Sequence, residues 1–198
     1  MTQRGTPSGV RALPAARGRV DIGDVSCGAC SACAGGAPLW CANPVEHGVV
    51  LCSVRADSRD PLQSLLILAS VDAAQIDGDQ VIVVVGHDDG DALARLLRLV
   101  HGGTVLATTD LKAPELRSAL SASRPSGRAD VVATLGSARD AVRAVTRGGT
   151  VCLTGTTPAD ATVTEVVQRE VRLVGPQDLR SVIDRAGRQS VEREFDAA

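Results

Sequence analysis

The sequence predicts an α/β fold, a doubly wound parallel sheet preceded by a small cysteine-bearing lobe. Three observations carry that prediction. From Pro61 onward, short runs of branched aliphatic residues alternate with segments of helical spacing, the signature of parallel strands joined by crossover helices. The apolar fraction is 44%, nearly all Val, Leu, Ala and Ile, with Trp40 and Phe195 the only aromatic side chains; such a core suits strands buried on both faces. Ahead of this region, residues 27–41 read CGACSACAGGAPLWC, four cysteines in fifteen residues.

The elements follow in order. Residues 1–19 are rich in Gly, Pro and Arg without sustained periodicity and read as a flexible arm. RVDIGDV (19–25) and GVVLCSV (48–54) are strand candidates on either side of the cysteine loop, which assigns residues 20–59 to the lobe and 60–198 to the sheet domain. PLQSLLILASVDAAQ has helical spacing and stops at IDGD (76–79); VIVVVG (81–86) is a buried strand; DALARLLRLVHGG (91–103) is an amphipathic helix with a glycine stop. TVLATTD (104–110), ADVVATLG (129–136), TVCLTG (150–155) and REVRLVG (169–175) read as further strands. Between and after them, APELRSALSAS (113–123), ARDAVRAVTRGG (138–149), a turn at VTEVVQ and DLRSVIDRAGR (178–188) read as helices.

Composition excludes several classes. With no Tyr, two other aromatics and a formal net charge of −2, the chain offers neither a base-stacking platform nor a basic field, so nucleic acid is not expected as a partner. The longest apolar runs, LLILASV (65–71) and VIVVVG, fall far short of the roughly 18–20 residues of a membrane span. The first twenty residues hold four arginines and no apolar segment, unlike a secretory signal. A cytoplasmic location follows, where cysteines serve as thiols or metal ligands more often than as disulfides.

Cys27, Cys30, Cys33 and Cys41 follow C-x2-C-x2-C-x7-C. Close-spaced thiolates suit tetrahedral zinc, and Gly28, Gly35 and Gly36 give the loop backbone freedom to wrap an ion. Four sulfurs fill the coordination sphere, so the zinc they bind is structural. The alternatives are four ordinary cysteines or an iron–sulfur cluster, whose common spacings differ. Cys52 and Cys152 lie in strands and read as small buried hydrophobes.

GRVDIGDVSCGACSACAGGAPLWC resembles the structural-zinc lobe of the zinc-containing alcohol dehydrogenases, the medium-chain dehydrogenase/reductase family. The likeness continues from about Asp60 to Arg188. IDGDQVIVVVG resembles the family's entry into its first Rossmann strand, and ADVVATLGS, RGGTVCLTG and REVRLVG resemble its fourth, fifth and sixth. The resemblance implies a Rossmann-like nucleotide-binding domain behind a structural-zinc lobe, in a truncated and degenerate member.

A dinucleotide needs glycines where the first strand turns into its helix and an acid after the second strand for the ribose. The turn here reads G-H-D-D-G-D from Gly86 to Asp91, with Gly90 but no middle glycine. Asp88, Asp89 and Asp91 stand where pyrophosphate charge would lie and repel it. Asp110 lies at about the spacing of the ribose-binding acid and favours NAD over NADP; its simpler role is a strand-end turn. Gly86, Gly90 and Asp110 are thus the candidate cofactor residues.

The resemblance implies a second, catalytic zinc in members that act on alcohols, held by residues upstream of the structural loop. VEHG (45–48) has suitable residue types but follows the loop. Asp60, before Pro61-Leu62, resembles a ligand of the polyol-type branch, but a lone Asp in that place is more often a helix N-cap. His47, His87 and His101 pair with no carboxylate or cysteine at a catalytic spacing, so no catalytic residue is assigned. The expectation is a zinc-binding, alcohol-dehydrogenase-like protein acting as a non-catalytic accessory or binding subunit, with a protein partner or a second copy of itself. The alternative is an NAD(P)-dependent oxidoreductase completed by another chain.

Overall fold

The computed structural model describes residues 8–14, 19–55, 61–86, 94, 97–98, 102–153, 160–176 and 179. Two sheets organise them. The first is antiparallel, in the order β1 (Val10–Pro14), β2 (Arg19–Asp24), β3 (Val49–Arg55). The cysteine loop is the long connection from β2 to β3 and contains the short helix α1 (Ser31–Ala34) and a 3-10 turn at Pro38–Trp40.

The strand β1 lies inside the stretch read as a flexible arm. Its sequence, VRALP, hides it: Val10 is buried, whereas Arg11 and Ala12 are exposed, so no apolar alternation marks it. It forms because its backbone pairs with β2 from Val10↔Asp24 to Pro14↔Val20.

The second sheet is parallel, in the order β5 (Thr104–Thr108), β4 (Val81–Val85), β6 (Ala129–Thr134), β7 (Val145–Leu153), β8 (Arg172–Val174). All five residues of β4 are buried, which explains its unbroken apolar run. Their side chains alternate between two cores. Ile82 and Val84 join α2 (Pro61–Ala73), Ala94, Leu97 and Leu179 on one face. Val81, Val83 and Val85 join α3 (Pro114–Ser123) and α4 (Ala138–Ala144) on the other.

Residues 65–71 of α2 are buried all round its axis. They share one cluster with Ile22, Leu39 and Leu51 of the lobe, so a helix without a polar face is satisfied by layers on both sides. Ser70 within it donates to the carbonyls of Leu66 (2.9 Å) and Leu153 (3.1 Å).

The helix read over 138–149 ends earlier, at Ala144, and β7 begins at Val145. Arg169 caps its end, donating through Nε to the Val142 carbonyl (2.9 Å) and through Nη2 to that of Val145 (2.8 Å), while Arg128 donates to Arg143. Two guanidinium groups thus take carbonyls that a longer helix would have used. The last strand is shortened to Arg172–Val174, and VTEVVQ forms α5 (Val163–Gln168), opened by a capping box between Thr162 and Glu165. The helices read at 91–103 and 178–188 lie largely outside the described residues.

A single helix, α3, joins β5 to β6. The usual doubly wound order is 3-2-1-4-5-6; this sheet has the 2-1-4-5-6 part, and β5 is its outer strand.

Immediately before β1, Gly9 donates to the Leu39 carbonyl (2.8 Å) and accepts from Val25 N–H (2.9 Å). A Cβ at Gly9 would lie 1.9 Å from the Pro38 carbonyl oxygen. Gly9→Ala is therefore expected to lower stability by roughly 2–3 kcal/mol in urea unfolding of the metal-loaded protein. An unchanged midpoint would show that this contact does not hold the loop.

Candidate metal centre and strand-end crevice

Cys27, Cys30, Cys33 and Cys41 converge from the loop between β2 and β3. Their sulfurs all lie within 4.8 Å of one another, and they form the only such metal-competent group among the described residues. The Sγ of Cys30 is 3.5 Å from that of Cys33 and 3.9 Å from that of Cys41. A tetrahedral centre with bonds of about 2.3 Å separates its sulfurs by about 3.8 Å, so the four thiols fit zinc. Bound there, the ion would cross-link Cys27, Cys30 and Cys33 to Cys41 and leave no open coordination position.

The loop is built for this. Gly28 and Gly36 adopt φ of 71° and 79°, whereas Gly35, at −81°, does not need the left-handed region. Backbone N–H groups point at sulfur: Cys27 N–H at Cys41 (3.2 Å), Cys30 N–H at Cys27 (3.4 Å) and Ala42 N–H at Cys30 (3.5 Å). Ser8 adds a hydroxyl bond to the Cys41 carbonyl. Sequence reasoning missed Ser8 and Gly9, which carry no motif and matter only through what they touch.

These donors decide which thiol ionises in the metal-free loop. The N–H groups of Cys33 and Ala42 bring Cys30 down to about 6. Those of Ala29 and Cys30 lower Cys27. Burial, with the Cys30 thiol, pushes Cys33 up to about 12. Outside the cluster, Cys52 and Cys152 are buried, as their strand positions predicted, and burial raises Cys152 to about 12.

The second candidate region is the crevice where the strand order reverses, at the carboxyl ends of β4 and β6. Gly86 leaves β4 at φ 75° and donates to the Thr108 carbonyl (3.0 Å), while Leu135 donates to Val85 (3.2 Å). A Cβ on Gly86 would meet Leu135 and Gly136 at 3.8 Å. Gly90, with the three aspartates of its turn, lies outside the described residues, as do Asp60, His87 and His101. Asp110 is exposed, two residues beyond β5. Its Oδ1 accepts from Lys112 N–H (2.8 Å), closing a turn that Thr108 Oγ1 braces with a bond to the Asp110 carbonyl (2.9 Å). Asp160, which sequence reasoning passed over, accepts from Ser137 Oγ (2.6 Å) and Arg139 N–H (3.0 Å), and these donors lower its pKa. His47 is exposed.

Solved structures carry the same architecture. A short chain alcohol dehydrogenase from E. coli CFT073, complexed with NADH, matches at a TM-score of 0.55 and 12% identity, over 89% of this chain and 67% of that one. The fold is that of the alcohol dehydrogenases. A zinc-binding dehydrogenase from Sinorhizobium meliloti 1021, bound to NADP, matches at 0.55 and 19% identity, over 87% and 67% of the two chains. An NAD-dependent alcohol dehydrogenase gives 0.58 at 14%, over 89% and 66%. The dehydrogenase-like chain thus spans about two-thirds of the length of these structures. No protein-family model and no curated protein matches its sequence. No described helix is long and apolar enough to cross a membrane.

Two outcomes follow for the metal centre. Cys30→Ser should lower bound zinc well below one per chain by elemental analysis, and metal removal should alter the emission of Trp40, the chain's single tryptophan, next to Cys41. Retention of full zinc by the variant would refute the four-sulfur assignment. In metal-free protein at pH 7, iodoacetamide should label Cys30 well before Cys33, because the thiolate is the nucleophile. Lowering the pH from 7 to 5 carries Cys30 through its pKa of about 6 and should slow its labelling roughly tenfold as the thiolate fraction falls. Peptide mapping by mass spectrometry reads both.

Proposed function

We propose that this chain is a metal-stabilised protein of dehydrogenase fold that serves as a non-catalytic accessory or binding subunit of a biosynthetic enzyme system. Its partner is another protein or a second copy of itself. The observation that carries this reading is the direct passage from β5 through α3 to β6. Among the described residues, no strand lies outside β5, beside the ribose-binding end of the usual crevice. Beside it, the Asp110 carboxylate is already engaged by its own turn. The four-thiol centre supports the same reading, since a closed sphere stabilises without offering a position to substrate.

A second reading, an NAD(P)-dependent oxidoreductase completed by a partner chain, is favoured by Gly86. Its left-handed turn stands at the switch point of a parallel sheet, where dinucleotide phosphates approach in such folds.

The test is an assay of the purified, zinc-loaded chain with NAD+ or NADP+ and a panel of primary alcohols, secondary alcohols and polyols, followed by nicotinamide absorbance. The expected result is no turnover above the protein-free rate. Turnover by the chain alone would overturn the proposal, and turnover only on addition of a second protein would select the second reading.

A further inference from the structure

The short β5-to-β6 crossover has a consequence on the sheet face away from α2 and the lobe. There α3 and α4 stand apart over β4 and β6, leaving a cavity of about 450 Å³ between them. That size falls in the range of small-molecule sites, roughly 300–1,000 Å³. Val83 and Val132 lend it an apolar floor, and Leu116 and Leu120 of α3 an apolar wall.

Its rim is charged, mainly with one sign. Lys112, Arg117, Arg128 and Arg143 line it, against the single carboxylate of Asp140. Glu165 neutralises Arg143 at 2.5 Å, and Arg128 donates to the end of α4. Lys112 and Arg117 are different: among the described residues, no hydrogen bond or ion pair engages either side chain. Both belong to the α3 side, and Arg117 lies one helical turn before Leu120, so cation and apolar wall share a flank. Asp140, on α4, disfavours an anion on the opposite flank.

We propose that this cavity binds a small amphipathic acid, its aliphatic body on Val83, Val132, Leu116 and Leu120 and its anionic head at Lys112 and Arg117. A purely apolar ligand would leave the two cations unused, and a cationic one would meet them as like charges. None of the four cysteines, Gly86 or Asp110 lines the cavity, so the site stands whether or not the proposed accessory role does.

The test is titration of the zinc-loaded protein with decanoate below its micellar range, followed by amide chemical shifts. Decyl phosphate, decanol and decyltrimethylammonium are run in parallel. Saturable shifts around Val83, Leu116, Leu120 and Val132 are expected with both acids, and preference between them distinguishes a carboxylate from a phosphate ligand. The double variant Lys112→Ser, Arg117→Ser should weaken decanoate binding roughly tenfold or more while leaving decanol unchanged. Because both side chains are exposed, the variant should retain its zinc and circular dichroism. Ala144→Phe, which projects into the cavity, should block all ligands. Equal binding of the four probes, shifts elsewhere, or decanoate binding unaffected by the double variant would overturn the assignment.

Discussion

The connection from Thr108 to Ala129 is the constraint on which the sheet domain depends. Parallel strands require a crossover that returns to the starting edge of the sheet. A strand of five residues, such as β5, spans about 16 Å. The ten-residue α3 spans about 15 Å. The helix therefore uses its whole length in the return, and its flanking turns deliver the chain directly into β6. No further strand is formed within the crossover, so among the described residues β5 is the edge, and α3 packs on the same face as α4. The reduced crevice and the cavity beside α3 have one cause.

The lobe has a different logic. A loop of about two dozen residues between β2 and β3 cannot bury enough apolar surface to order itself. Val25, Leu39 and Cys41 are its anchors in the interior. The remaining order comes from N–H groups aimed at sulfur and from the segment before β1, which grips Leu39 and Cys41 from outside the loop. Metal binding and lobe folding are then one equilibrium. The lobe in turn covers one face of α2, whose residues 65–71 are buried all round.

Much of this was legible in the sequence. The run VIVVV suits only a strand covered on both faces, and the spacing of Cys27, Cys30, Cys33 and Cys41 is itself that of a four-sulfur metal loop. The strand at Val10–Pro14 was hidden because it is stabilised by backbone pairing, which leaves no periodicity in side chains. The early end of α4 was hidden because its cap comes from Arg169, distant in sequence, and local glycines offered a competing stop. The edge position of β5 was hidden too. Sequence likeness matched β4 and β6 to the first and fourth strands of the family, but only the topology shows that a single strand, β5, stands between them in sequence.

The proposed role stands or falls at the crevice, where β5 is the outermost described strand and the Asp110 carboxylate is tied into its own turn: we propose that the chain does not hold a dinucleotide by itself. Calorimetric titration of the zinc-loaded chain with NADH and NADPH tests this most directly. No saturable heat is expected up to millimolar cofactor, with one zinc present and the fold intact. Saturable binding at micromolar concentration would contradict it and would show that the turn at Gly86 still receives the pyrophosphate.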